Sequence, residues 1–137
     1  MLGKDGKIEL LKRVPLFSRC SNKQLSEIAT LAGLLPVPAG TELITEGTHG
    51  RDFMIIVEGA VDVRRKGRKI NTLGPGDFIG EMALISGLPR TATITTTADT
   101  TMLFVTERDF WDLVERAPAV QTSLLRALGE RLQSLSV

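Results

Sequence analysis

The chain has 137 residues, 42% of them apolar, and a formal net charge of +1 from 17 basic and 16 acidic side chains. This length fits one domain with its own core, and such balanced charge creates no global field that attracts nucleic acid. A single cysteine and a single histidine exclude an internal disulfide, a thiolate metal cluster and a His-rich metal centre. The charged N-terminus lacks an apolar signal segment, and no apolar run approaches the roughly 18 residues that span a bilayer. We therefore expect a cytoplasmic domain without membrane contact.

The first 33 residues predict two helices. Ile8 and Leu11 have the spacing of a short amphipathic helix. Ser21 and Gln24 form the pattern of a capping box, in which each side chain satisfies a backbone N–H group of the first helical turn. Apolar residues follow at helical spacing until Gly33, which predicts the end of the second helix there.

Residues 34–106 show a different pattern, with short apolar segments separated by glycine. A tight hairpin is predicted where Glu58-Gly59 separates residues 53–57 from residues 61–65. A second hairpin is predicted with its tip at Lys66-Gly67. Eight closely spaced strand candidates favour a sandwich or barrel over alternating strands and helices.

The last part of the chain, residues 107–137, returns to helical periodicity. A short helix is predicted before Pro118, and a longer one after it carries a stripe of apolar residues at Val120, Leu124, Leu128, Leu132 and Leu135. Such a stripe is typical of packing against the domain or against a partner helix. The predicted fold class is α+β: an eight-stranded antiparallel β jelly roll or barrel flanked by N-terminal helices and two C-terminal helices. We expect residues 1–137 to form one domain, with an N-terminal helical segment at residues 1–33.

The segment that carries chemical information is residues 78–94. Gly80 lets the backbone approach a partner closely because it has no Cβ, and the good helix formers after it predict a short helix whose first N–H groups favour an anion. Arg90 follows a turn and is within reach of that helix start, so a monoanionic phosphate would fit. A neighbouring carboxylate, Glu81, makes sense if it accepts a hydrogen bond from a sugar hydroxyl, as a 3′,5′-cyclic nucleotide would provide. The alternative is that Glu81 and Arg90 form an ordinary surface ion pair.

This segment resembles the phosphate-binding cassette of the cyclic nucleotide-binding domain family, which includes the catabolite activator protein and the regulatory subunits of protein kinase A. The family pattern is F-x-G-E-hydrophobic-A-L followed by P-R-x-A. The residues that fill it are Phe78, Gly80, Glu81, Ala83, Leu84, Pro89, Arg90 and Ala92. The resemblance extends from about Leu10 to Leu135, nearly the whole chain.

The resemblance implies roles for individual residues in ligand binding. Arg90 would neutralise the cyclic phosphate, Glu81 would accept from the ribose 2′-hydroxyl, and Gly80 would allow close approach. The backbone N–H groups implied as phosphate donors belong to Met82, Ala83 and Ala92. The residues implied for the base pocket are Val63 and Ile70 on strands, with Arg131, Ser134 or Leu135 as a lid from the last helix. Leu84 and Phe110 would exchange packing when ligand binds.

The predicted function is a non-enzymatic regulatory sensor that binds a cyclic nucleotide and relays binding through movement of the C-terminal helices. The resemblance implies that Thr91 contacts either the guanine amino group, as in relatives that prefer cGMP, or the cyclic phosphate, as in bacterial relatives that bind cAMP. We favour cAMP and keep cGMP as the second candidate. The alternative is a ligand-free module that keeps the fold and binds proteins through the leucine stripe. We expect the C-terminal helix to mediate a homodimer or to lead into a fused effector domain. The basic run at residues 64–69 is interpreted as a solvated turn without nucleic-acid contact, and no metal site is expected.

Overall fold

The computed structural model describes residues 2–50, 52–81 and 83–135, with the backbone alone for residues 131, 134 and 135. The helices are α1 (Lys4–Leu11), α2 (Asn22–Leu31), α3 (Ala83–Ser86), α4 (Glu107–Arg116) and α5 (Pro118–Leu135), with a 3₁₀ turn at Pro15–Phe17. The strands are β1 (Gly33–Val37), β2 (Glu42–Ile44), β3 (Phe53–Glu58), β4 (Val61–Arg65), β5 (Arg68–Leu73), β6 (Phe78–Ile79), β7 (Thr93–Thr96) and β8 (Thr100–Val105). The chain divides into two units, a helical one (Met1–Ala32 with Arg108–Val137) and a β one (Gly33–Glu107).

The β unit consists of two four-stranded sheets with the strand orders β1-β8-β3-β6 and β2-β7-β4-β5. All pairs are antiparallel. The predicted α+β class and the eight-stranded antiparallel jelly roll with flanking helices are confirmed. The two sheets are not closed into a barrel.

A cluster of buried apolar side chains from both sheets forms the core of the β unit. Full burial of each such side chain contributes roughly 1.5–3 kcal/mol to folding. The buried members are Val37, Ile44, Met54, Ile56, Val61, Val63, Ile79, Ala92, Ile94 and Met102. Ala92 and Ile79 are therefore held by the core, and they flank the segment that carries Gly80 and Arg90.

The predicted hairpin between residues 53–57 and 61–65 is wrong. β3 pairs with β6 and β8, whereas β4 pairs with β5 and β7, so the Glu58-Gly59 turn carries the chain from one sheet to the other. The local turn signal is real, because Gly59 has φ +100°, but a turn alone does not decide which strands pair. The hairpin predicted at Lys66-Gly67 is confirmed, with β4 and β5 paired on either side of it.

In the helical unit the capping box is confirmed. Ser21 Oγ accepts from the Gln24 backbone N–H at 3.2 Å, and Gln24 Oε1 accepts from the Ser21 N–H at 2.9 Å. α5 packs against the 3₁₀ turn, and the rings of Phe17 and Phe110 lie 6.3 Å apart. None of the helices in the described part of the chain is long and apolar enough to cross a membrane.

The apolar stripe predicted along α5 is buried within this chain only in its first half. Val120 and Leu124 are buried, Leu128 is half-buried, and Leu132 is 68% exposed. An α-helix has 3.6 residues per turn, so residues spaced four apart drift about 40° around the axis at each step. By Leu132 the drift has carried the stripe off the buried face. The side chain of Leu135 lies outside the described residues.

Candidate functional site

Gly80 directly follows strand β6 and occupies a position that only glycine fits. Gly80 has φ +78°, in the left-handed region that favours glycine. A Cβ at this position would collide with Arg90 Nη1 and would lie 3.0 Å from the Asp52 carbonyl oxygen. The guanidinium of Arg90 therefore rests directly against the Gly80 backbone.

Arg90 is fixed at both its backbone and its side chain by the loop between β2 and β3. Its backbone N–H donates to Thr48 O at 2.7 Å, and its carbonyl accepts from the Gly47 N–H at 2.8 Å. Its Nη2 donates to the carbonyl oxygen of Asp52 at 2.7 Å. The residue is 9% exposed, so the loop holds a cation in a largely desolvated position.

The guanidinium of Arg90 has an unused donor. Within residues 2–50, 52–81 and 83–135, Nε of Arg90 is the buried side-chain polar atom without a hydrogen-bond partner. Desolvation lowers the pKa of Arg90, and the charge of Asp52 partly offsets this, but a guanidinium stays protonated in proteins. Leaving a buried donor unpaired costs roughly 1–3 kcal/mol, and more when it is charged. A Cβ on Gly50 would lie 3.2 Å from Nε, so a second glycine leaves this donor uncovered by side chain.

The remaining cassette residues differ in how deeply they are buried. Glu81 directly follows Gly80 and is 4% exposed, a strongly buried position for a carboxylate. Leu84 lies on α3 and is fully buried, and Ala92 is buried immediately before β7. Ala83 is half-buried and Thr91 is exposed. Met82, predicted as a phosphate donor, lies outside the described residues.

The two strand residues predicted for the base pocket differ in their burial. Val63 is buried in β4, whereas Ile70 in β5 is 50% exposed. Val63 lies opposite Asn71 and Arg64 lies opposite Lys69, so the register skips Ile70 at a β-bulge. The side chains of Arg131, Ser134 and Leu135 lie outside the described residues, so the lid stays a prediction.

The hinge aromatic predicted at Phe110 is fully buried in the helical unit. It packs on Phe17, and its ring lies 5.6 Å from the ring of Trp111 in an edge-to-face arrangement. Trp111 is 37% exposed. Trp111 therefore sits where a change in the packing of Phe110 would alter its fluorescence.

The loop that positions Arg90 was not predicted from the sequence. Thr48 and Asp52 act through carbonyl oxygens, and a backbone carbonyl leaves no side-chain signature in the sequence. The available signal was the pair Gly47 and Gly50, since closely spaced glycines before a buried strand often mark a close backbone approach. The Asp52 side chain also accepts from the Glu107 N–H at 3.1 Å.

Across the described ranges, no group of three His, Cys, Asp or Glu residues could hold a metal ion. Burial raises the pKa of the Cys20 thiol to about 11, which keeps it protonated and unreactive near neutral pH.

The β unit is a jelly roll that holds a buried arginine against two glycines. Comparison with known proteins identifies the class: residues 34–117 match the family described as the cyclic nucleotide-binding domain. The chain belongs to this family of regulatory binding domains.

Individual relatives agree with this assignment. The chain is 35% identical over 123 residues to a cyclic nucleotide-gated potassium channel of Rhizobium etli, covering 90% of this chain and 34% of the channel. It is similar to the N-terminal domain of a transcriptional regulator from Streptomyces coelicolor A3(2), with 31% identity, a TM-score of 0.84 and coverage of 93% and 94%. It is also similar to the regulatory domain of Toxoplasma gondii PKA crystallised with cAMP, with 28% identity, a TM-score of 0.74 and coverage of 83% and 45%. The chain spans about a third of the length of the potassium channels it matches.

Proposed function

We propose that this chain is a non-enzymatic, cytoplasmic sensor that binds a cyclic nucleotide, cAMP in preference to cGMP, and passes the binding signal to its C-terminal helices. The observation that carries the proposal is the buried Arg90 guanidinium with its unpaired Nε. A protein keeps a desolvated, incompletely paired cation where function requires it, because the free-energy cost serves no purpose in folding.

The cyclic phosphate would accept from Arg90 Nε, which the fold buries without a partner. A single negative charge shared by two exocyclic oxygens matches the two-pronged donor geometry of a guanidinium. Neither Gly80 nor Gly50 places a Cβ against the guanidinium. Further donors would be the backbone N–H groups of Met82, Ala83 and Ala92.

The ribose would bind through Glu81. A buried carboxylate at this position can accept a hydrogen bond from the ligand, and the ribose 2′-hydroxyl of a cyclic nucleotide is such a donor. Glu81 is therefore the residue that distinguishes a ribonucleotide from its 2′-deoxy analogue.

The preference for cAMP rests on the cassette and on a structural neighbour. The similar Toxoplasma gondii domain was crystallised with cAMP. Thr91, exposed next to Arg90, would contact the phosphate edge of cAMP or the amino group of guanine in cGMP. The base would lie near Val63 and Ile70, covered by Arg131 or Leu135 of the last helix.

Binding would be relayed through Leu84 and Phe110. Both side chains are fully buried, so neither can move without repacking of its neighbours. The output would be a homodimer or a fused effector attached through the C-terminal helix, and residues 1–137 would act as one sensor domain. A ligand shifts such an equilibrium only by its difference in affinity for the two states.

The alternative is a ligand-free interaction module. The exposed Leu125 and Leu132 on α5 favour it, since apolar side chains on one helix can bind a partner helix. The unpaired Arg90 Nε argues against the interaction module, because a module without a ligand would leave that buried donor permanently without an acceptor.

Calorimetric titration with cAMP and with cGMP, side by side, separates these functions. The sensor predicts saturable binding, tighter for cAMP, with a change in Trp111 fluorescence. A matched pair of ligands, cAMP and 2′-deoxy-cAMP, tests Glu81: the wild type should prefer cAMP, and Glu81→Met, which has no oxygen acceptor, should lose most of that preference. Absence of heat and of any thermal stabilisation with both nucleotides would contradict the sensor and support the interaction module.

A further inference from the structure

The β unit has an uneven charge distribution for a domain that receives an anion. Residues 33–107 contain seven cationic and nine acidic residues, a formal charge of −2. Taken by itself, such a unit does not attract a monoanion. Five of the seven cations lie in one six-residue stretch, residues 64–69, which we call the basic tip: Arg64, Arg65, Lys66, Arg68 and Lys69.

The basic tip is attached to the two chain segments that position Arg90. Arg65 Nε donates to the carbonyl oxygen of Thr91 at 3.0 Å. The backbone N–H of Lys66 donates to Glu46 Oε1 at 2.9 Å. Gly47, which follows Glu46 in the chain, donates its own backbone N–H to the Arg90 carbonyl oxygen. The end of the β4–β5 hairpin is thus tied to both the residue after Arg90 and the loop that pairs with the Arg90 backbone.

The charge of the basic tip is only partly neutralised. Asp62 Oδ1 lies 3.3 Å from Lys69 Nζ, and Asp62 Oδ2 lies 3.7 Å from Arg64 Nη2. With Glu46, two carboxylates face five cations, which leaves an excess of three positive charges. All six residues of the tip are exposed, so this charge projects into solvent rather than into the core.

We propose that the basic tip is a steering element that draws the anionic nucleotide toward Arg90 and raises its association rate. This inference rests on the proposed function. The tether between Arg65 and Thr91 places the other tip cations within a few residues of the cassette, roughly 10–15 Å. An excess of three charges at that distance should accelerate association about threefold at 10 mM ionic strength and less than twofold at 150 mM, because salt screens the field.

The test is stopped-flow binding of a fluorescent cAMP analogue at 10 and 150 mM ionic strength. The variant is Lys66→Asn/Arg68→Gln/Lys69→Gln, with asparagine chosen because Lys66 has φ +52°, which asparagine tolerates. Arg65 is kept, so the tether to Thr91 remains. The matched control is Lys66→Arg/Arg68→Lys/Lys69→Arg, which preserves all three charges.

Steering predicts that the neutralised variant associates about threefold more slowly at 10 mM, loses its salt dependence and keeps the wild-type dissociation rate. The charge-preserving control should behave like the wild type. Equal association rates in wild type and variant, or a change confined to the dissociation rate, would overturn steering. If the variant does not fold, the association rate of the wild-type protein tests steering on its own. Steering requires this rate to fall about twofold between 10 and 150 mM ionic strength. A wild type that binds neither cyclic nucleotide in calorimetry would instead overturn the proposed function.

Discussion

Replacing Arg90 with methionine should separate binding from stability. The substitution keeps much of the aliphatic stem and removes the charge, the Nη2 bond to Asp52 and the unpaired Nε. Losing a charged hydrogen bond costs about 1.5–3 kcal/mol, whereas removing a buried unpaired donor returns about 1–3 kcal/mol. These effects nearly cancel. The free energy of unfolding of the ligand-free protein should therefore change by about 1 kcal/mol or less, which shifts Tm by only a few degrees.

Ligand binding should respond very differently to Arg90→Met. Removing one partner of a desolvated charge pair costs about 2–5 kcal/mol, which corresponds to roughly a 30- to 4,000-fold increase in Kd for cAMP. Calorimetric titration measures the affinity, and thermal unfolding with and without cAMP measures the stability. Arg116→Met removes an exposed arginine and is the matched control, with both quantities near the wild-type values.

Two results would refute this reasoning. A Kd within threefold of wild type would show that Arg90 does not contact the ligand. A loss of more than about 3 kcal/mol of unfolding free energy would show that Arg90 is a structural residue whose burial is compensated in the fold.

Three further predictions concern other parts of the chain. Gly80→Ala and Gly40→Ala both place a Cβ at a φ near +80°, but only the Cβ at Gly80 meets neighbouring atoms. Calorimetry should show that cAMP affinity falls more than tenfold in Gly80→Ala and is unchanged in Gly40→Ala. Ser21→Ala removes the capping box of α2 and should cost about 1 kcal/mol in urea unfolding, whereas Ser18→Ala, an exposed control, should cost little. Because burial raises the pKa of Cys20 to about 11, iodoacetamide at pH 8 should alkylate it about 100-fold more slowly than an unperturbed thiol. In urea the rate should return to normal; a fast rate in the native protein would contradict the burial of the thiol.

Much of the fold was predictable where local chemistry decides local structure. The capping box at Ser21 and the hairpin at Lys66-Gly67 depend on residues close in sequence, so the pattern specifies the geometry. The position of Gly80 beside Arg90 was also predictable, because both residues lie in one short segment that turns back on itself at Gly87 and Pro89.

The errors arose where distant contacts decide the structure. The Glu58-Gly59 turn joins two sheets because β3 pairs with β8 and β4 pairs with β7, and nothing within residues 53–65 states those partners. The Asp52 carbonyl that holds Arg90 was missed for the same reason: any residue type can supply a carbonyl oxygen. The exposed Leu132 shows that a four-residue repeat does not follow one face of a long helix.

The most direct test of the account is a crystal structure of the chain grown with cAMP. We predict that an exocyclic phosphate oxygen lies about 2.7–2.9 Å from Arg90 Nε, so that the donor without a partner gains one. A well-ordered nucleotide bound elsewhere, or a guanidinium whose Nε still lacks an acceptor beside an empty cassette at saturating cAMP, would contradict it.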